Sequence, residues 1–156
     1  SRREFERMRE AGELIDWAEV DGYLYGRSRA AIERELEAGR DVILSIDVQG
    51  AAALRKLSWP VVSIFILPPS FDVLAERLRA RKTDAWPSVE HRLSIAREEV
   101  WHYRDFDYVI INDRLEDALA LLEAIILAER HRRERLEEDL RPVLHTFERS
   151  DRVEES

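Results

Sequence analysis

The sequence predicts an α/β domain built on a parallel sheet, and three observations carry that prediction. The runs "DVILSID" (Asp41–Asp47), "VVSIFIL" (Val61–Leu67) and "YVII" (Tyr108–Ile111) are short, continuous and apolar, as expected of strands buried on both faces. Helix-patterned segments lie between them, and long helical connections join parallel neighbours by right-handed crossovers. With 156 residues, 45% of them hydrophobic, and only 5 Gly and 5 Pro, the chain is long enough for one ordinary domain with its own core.

The elements follow in order from local signals. Ser1 and Glu4 have the spacing of a capping box, and Phe5 and Met8 give a short helix its apolar face before Gly12 ends it. "LIDWAEVDGYLYGRS" (Leu14–Ser28) alternates apolar and polar residues around Asp21-Gly22 and reads as a hairpin. Ser28 is a suitable N-cap for "RAAIERELEAGR", whose helix should stop at Gly39. Arg77 and Arg81 stand at i,i+4 on one helix face within "SFDVLAERLRARKTDAWPSVEHR" (Ser70–Arg92). "KTDAWPS" then interrupts that helix with turn residues and Pro87, and Val89, Leu93, Ala96 and Val100 restart the period. Two arginine-bearing arms around a break suit either a solvated charged face or a lid over phosphates. From Leu115, the spacing Leu119, Leu122, Ile126 continues a long amphipathic helix, with an interruption expected near Pro142. The tail, 150–156, is expected to fray.

Composition narrows the function classes. The absence of cysteine excludes disulfides and thiolate metal sites and suits a reducing cytoplasm. No run approaches the roughly 20 apolar residues of a bilayer span, and "SRREFERMRE" lacks a signal-peptide apolar region. A cytoplasmic protein without a membrane partner is therefore expected. The net charge of −8 argues against a nucleic acid polymer as partner, although local arginines still suit one small anion. His91, His102, His131 and His145 never adopt H-E-x-x-H spacing, so no protein metal ligand is assigned. Neither a G-x-S-x-G elbow nor a G-x-x-x-x-G-K-[ST] loop occurs.

Open parallel sheets bind ligands beyond the carboxyl ends of their strands. The polar residues there are Asp47, the Pro68-Pro69-Ser70 turn and Asn112-Asp113. Asp47 and Asn112 read either as caps of the helices that follow or as groups facing a ligand.

Five segments, "ELIDWAEVDGYLYGRSRAAIERELEAGRDVILSIDVQGA", "VSIFILPPS", "ERLRAR", "HRLSIAREE" and "FDYVIINDRLEDALALLEAIILAER", resemble in order and distance the guanylate kinases, which phosphorylate GMP with ATP. "IDVQGA" and "IFILPPS" are most like bacterial members, and the likeness runs to about Phe147. It implies a P-loop-kinase-like three-layer α/β fold, a parallel sheet with helices on both faces, a small GMP-binding hairpin subdomain and a helical lid. One domain over 1–149 would then divide into the hairpin subdomain (1–27), a core (28–81 and 104–149) and the lid region (82–103).

The resemblance also implies roles. Asp16 and Asp47 match the acidic residues that accept hydrogen bonds from guanine, and Tyr25 matches the tyrosine that holds the GMP phosphate. Arg77, Arg81 and Arg92 fall on the lid arginines that clamp the transferring phosphoryl group, and Asn112 falls on the ATP side. ATP and Mg²⁺ are the expected cofactors, with GMP and ATP as partners.

Several departures accompany the likeness. Asp16 stands in place of the usual Glu, Arg27 in place of a small hydroxyl residue, Ser45 in place of an aspartate, and Lys82 in place of a lid glycine. The chain begins after the family's phosphate loop and first strand, so the 156 residues alone are expected to transfer phosphate poorly. Exposed sheet edges would then seek either the N-terminal segment or a second copy in a homo-oligomer. The alternative is a degenerate guanylate-kinase-like module that binds GMP or a protein partner without catalysis.

Overall fold

Local capping chemistry sets most of the element boundaries. The computed structural model describes residues 1–20, 23–81 and 88–148, and the side chains of all of these except 16–20 and 25. Helix α1 (Arg2–Glu10) starts where Ser1 Oγ accepts from the Glu4 amide at 3.3 Å. It ends in a Schellman turn: Glu13 N donates to Met8 O and Gly12 N to Arg9 O, with Gly12 at φ 69°. Arg7 bridges Glu4 and Glu13 at 2.7 and 3.0 Å, and its hydrogen bond holds the Glu4 carboxyl below its ordinary range.

Strands β1 (Leu14–Val20) and β2 (Tyr23–Ser28) pair antiparallel. Leu14 faces Ser28 and Asp16 faces Arg27, so the register slips at Ile15, as in a β-bulge. The expected turn at Asp21-Gly22 lies outside the described residues. Helix α2 (Arg29–Glu37) is capped by Ser28 Oγ on the Ala31 amide and closed by Gly39 at φ 76° in a second Schellman turn.

Helix α3 (Val48–Arg55) buries Val48, Ala51 and Leu54, one face at three-residue spacing. After it come β3 (Ile64–Leu67) and α4 (Phe71–Ala80), the latter capped by Ser70 Oγ on the Val73 amide. Helix α5 (Val89–Glu99) continues into a 3-10 turn at Val100–Asp105 and then β4 (Tyr108–Ile111). The chain closes with α6 (Leu115–Arg130) and α7 (Arg133–His145). Tyr108 N donates to Ser63 O and Asn112 N to Leu67 O, so both strands advance together and β3 and β4 are parallel. The helical connection between them makes a β-α-β unit, and the class is α/β as the sequence predicts.

Three expectations need correction. Asp41–Asp47 is not a strand among the described residues. Its burial alternates, with 41, 43, 45 and 47 exposed and 42, 44 and 46 half-buried, as in an extended chain packed on one side. A strand requires a neighbour's ladder, and here the Ser45 carbonyl is taken by the Arg27 side chain instead. Second, the apolar runs are not buried on both faces: Ile43 is 73% exposed, Ile66 56% and Ile111 60%, whereas Ile110 is 2% exposed. Third, the C-terminal helix breaks at 131–132, not near Pro142, which sits inside α7. The His131 ring donates from Nδ1 to the Leu127 carbonyl at 2.7 Å and closes α6. Pro142 lies near the end of α7, where only three helical residues follow it.

The chain divides into two compact units, Ser1–Phe65 with Ser94–Tyr108, and Ile66–Leu93 with Val109–Ser156. In the first, Ile32, Val48, Ala51 and Leu54 are buried, and Phe65 meets Phe106 edge-on at 4.8 Å. Buried Ser63 donates to Asp107 Oδ2 from its amide at 2.8 Å and its hydroxyl at 3.1 Å, while the Asp107 amide donates back to Ser63. In the second, Ala75, Leu93, Ile110 and Ala118 are buried, and Glu129 is buried against Arg132 at 2.8 Å.

Candidate functional site

In the first unit the candidate residue best described is Asp47, at the start of α3. Asp47 is extended (φ −80°, ψ −180°), exposed, and accepts the Gly50 amide on Oδ1 at 2.7 Å. A Cβ at Gly50 would lie 3.2 Å from that Oδ1 and 3.2 Å from Ile46 Cβ, so glycine permits the close approach. The helix N-terminus favours a negative charge at this position. Among the described residues Oδ2 has no hydrogen-bond partner, and a carboxylate offers about four acceptor positions. Capping α3 therefore fixes the carboxylate while leaving it able to accept from a ligand.

Arg27, in β2, donates from Nη1 to the Ser45 carbonyl at 3.2 Å. This bond ties the hairpin to the segment that ends in Asp47. Asp16 stands opposite Arg27 in register and Tyr25 opposite Ala18. The side chains of Asp16 and Tyr25 lie outside the described residues, so only their strand positions are given.

In the second unit Arg77 dominates. Its guanidinium donates to the Asn112 carbonyl at 2.7 Å and the Asp113 carbonyl at 2.8 Å, a two-pronged grip that Lys has no geometry to copy. The Asn112 amide in turn donates to Leu67 O, so the turn after β4 is held from both sides. Two of the five guanidinium N–H groups make these bonds. Arg81 caps the C-terminal end of α4 and is exposed; Arg92 lies in the first turns of α5 and is half-buried. Arg79 pairs with Glu90 at 3.4 Å and links α4 to α5. Lys82 and most of the expected break, 82–87, lie outside the described residues.

The capping reading thus holds for Asp47 but not for Asn112, because α6 begins after Arg114 with no side-chain cap bond. Sequence reasoning missed the grip of Arg77 on 112–113 and that of Arg27 on Ser45. Each joins residues distant in the chain through a backbone carbonyl, which leaves no sequence signal. An open groove beside Phe5, Met8, Tyr23 and Leu24 contains none of the predicted site residues. Among the described residues no cluster of three or more His, Asp or Glu side chains forms a metal site, and no helix is long and apolar enough to cross a membrane.

Comparison with known proteins follows the same outline. A family model described as guanylate kinase matches residues 1–129. The guanylate kinase of Agrobacterium fabrum (strain C58) is 49% identical over 136 residues, covering 86% of this chain and 62% of that protein. That of Chelativorans sp. (strain BNC1) is 47% identical over 148 residues, covering 94% and 66%. The crystal structure of guanylate kinase from Anaplasma phagocytophilum superposes with a TM-score of 0.68 at 35% identity, covering 90% of this chain and 70% of that one. The chain spans 62% and 66% of the length of these two curated relatives, just under two thirds.

Proposed function

The chain belongs to the guanylate kinase family, and we propose that it supplies the base-reading and phosphate-binding residues of an enzyme that converts GMP and ATP to GDP and ADP. In that reaction an oxygen of the GMP phosphate bonds to the terminal phosphorus of ATP as the bond to the ADP oxygen breaks. Such transfers rest on positioning and on electrostatic stabilisation of the moving phosphoryl group.

The observation that carries the reading is the capped Asp47 carboxylate, held at one oxygen and able to accept at the other. Guanine offers N1–H and an exocyclic 2-amino group to such acceptors. Adenine presents a bare N1 and no 2-amino group, so binding AMP would desolvate carboxylates without pairing them, at a cost of about 1–3 kcal/mol per group. Asp16 takes the second guanine contact and Tyr25 the GMP phosphate. Arg81 and Arg92 bring positive charge to the transferring phosphoryl group. Arg77, whose guanidinium is anchored on the carbonyls of 112 and 113, joins them in this reading, and Asn112 takes the ATP side.

Among the described residues no cluster of three or more His, Asp or Glu side chains gathers, and Ser45, whose carbonyl accepts a guanidinium, stands where the family often has an aspartate. Mg²⁺ coordinated chiefly by nucleotide phosphates and water suits this arrangement. A cytoplasmic setting accords with ATP as substrate.

A second reading, GMP binding without transfer, is favoured by that same Arg27–Ser45 contact. Two measurements on the intact protein separate the cases: calorimetric titration with GMP and AMP, and ADP release from ATP plus GMP. Selective GMP binding with ADP release is expected. Selective binding without ADP release supports the second reading, and equal or absent heats for GMP and AMP overturn both.

A further inference from the structure

We infer that Arg27 is a positioning residue for guanine recognition, fixing the spacing between the strand position of Asp16 and the carboxylate of Asp47. The inference rests on the guanine reading above and deepens it. Arg27 is the register partner of Asp16 across the hairpin, so the β1–β2 ladder fixes one backbone position against the other. From that position its Nη1 donates to the Ser45 carbonyl at 3.2 Å, across 18 residues of sequence. Ser45 lies two residues before Asp47 in a segment whose burial alternates with period two. Asp47 is itself held at the start of α3 by the Gly50 amide. One guanidinium thus closes a continuous path from Asp16 to Asp47: ladder, side-chain bond, the short step from Ser45 to Asp47, helix cap.

The path matters because 41–47 has no strand ladder among the described residues to hold it. Where sheet pairing is absent, a side-chain donor on a backbone carbonyl supplies the register. Arg27 and Ser45 are also two of the positions at which this chain departs from the pattern it resembles, and the contact explains how the two departures fit together. With the carbonyl as acceptor, the Ser45 hydroxyl is not required for the bond, whereas an aspartate there would compete for the guanidinium.

The test compares affinities for GMP, IMP and AMP in the intact protein and in R27M, R27K and D47N variants. IMP keeps the N1–H of guanine and lacks the 2-amino group, so the GMP-to-IMP ratio reports two-carboxylate geometry separately from overall stability. R27M is expected to weaken GMP binding about tenfold, the size of one charge-assisted hydrogen bond, and to shrink the GMP-to-IMP ratio. R27K, which donates to a carbonyl from a different distance, is expected to recover part of both. Combined with D47N, R27M should add little, because its effect passes through Asp47. An unchanged ratio in R27M, a proportional loss for GMP and IMP alike, or fully multiplicative losses in R27M/D47N would overturn the inference. Should the unaltered protein show no preference for GMP over AMP, the guanine reading itself fails, which is a different result.

Discussion

The Asp47 carboxylate accepts the Gly50 amide at 2.7 Å, so the group proposed to read guanine also holds the first turn of α3. The two duties separate by substitution. Asn caps helices about as well as Asp, whereas Ala forfeits about 0.5–2 kcal/mol. Asp47→Asn is expected to keep the urea-unfolding midpoint and lose most GMP selectivity; Asp47→Ala should lose both. Retained selectivity in Asp47→Asn would remove Asp47 from base recognition.

Arg77 fastens the turn after β4 through the carbonyls of Asn112 and Asp113. Arg77→Ala is expected to speed amide exchange at 112–114 and raise the KM for ATP. Arg77→Lys should behave more like Ala than like Arg, because an ammonium makes no fork. Unaltered exchange in both variants would show that the turn holds itself.

Asp107 satisfies both the buried amide and the hydroxyl of Ser63. Removing the acceptor strands two buried donors, each costing about 1–3 kcal/mol when unpaired. Asp107→Ala should therefore be markedly destabilising in denaturant titration, and Asp107→Asn less so. Paired replacement of Ser63 and Asp107 should cost less than the sum of the single changes, since they share one network.

The Glu4–Arg7 pair predicts a pH dependence of α1. The hydrogen bond and charge of Arg7 lower the folded pKa of Glu4 below its ordinary 4.5. A lowered folded pKa means that the pair's contribution is complete above the ordinary value and disappears as pH falls through the folded one. NMR titration of the Glu4 carboxyl should show the lowered midpoint, and Arg7→Ala should return it to the ordinary range. A midpoint insensitive to Arg7→Ala would assign the shift to another source.

Ser1 and Ser28 were legible as helix starts, and Gly12 and Gly39 as helix stops, because each acts on backbone groups within a few residues, whereas the Ser70 cap of α4 emerged only in the structure. The runs around β3 and β4 were legible as strands from their composition, and the helix between them implied their parallel order. Asp47 was legible as a cap and as a site candidate for the same reason: it follows an apolar run and precedes a helix.

Which apolar runs go without a ladder was not legible. "DVILSID" has the composition of a buried strand, yet it finds no ladder among the described residues and leaves Ile43 open, since a strand is a relation to a neighbour and not a property of its own residues. The C-terminal break came from a histidine ring reaching back four residues, and Pro142 passed as part of a helix.

By itself, then, the sequence determined the α/β class, the helix ends and the family whose motifs it carries, all of which depend on short-range geometry or residue identity. Only the tertiary structure decided that Arg27 meets Ser45, Arg77 meets Asn112 and Ser63 meets Asp107, across separations of 18, 35 and 44 residues. Each of those bonds depends on where the fold brings a distant donor to an acceptor, and no local pattern encodes that distance.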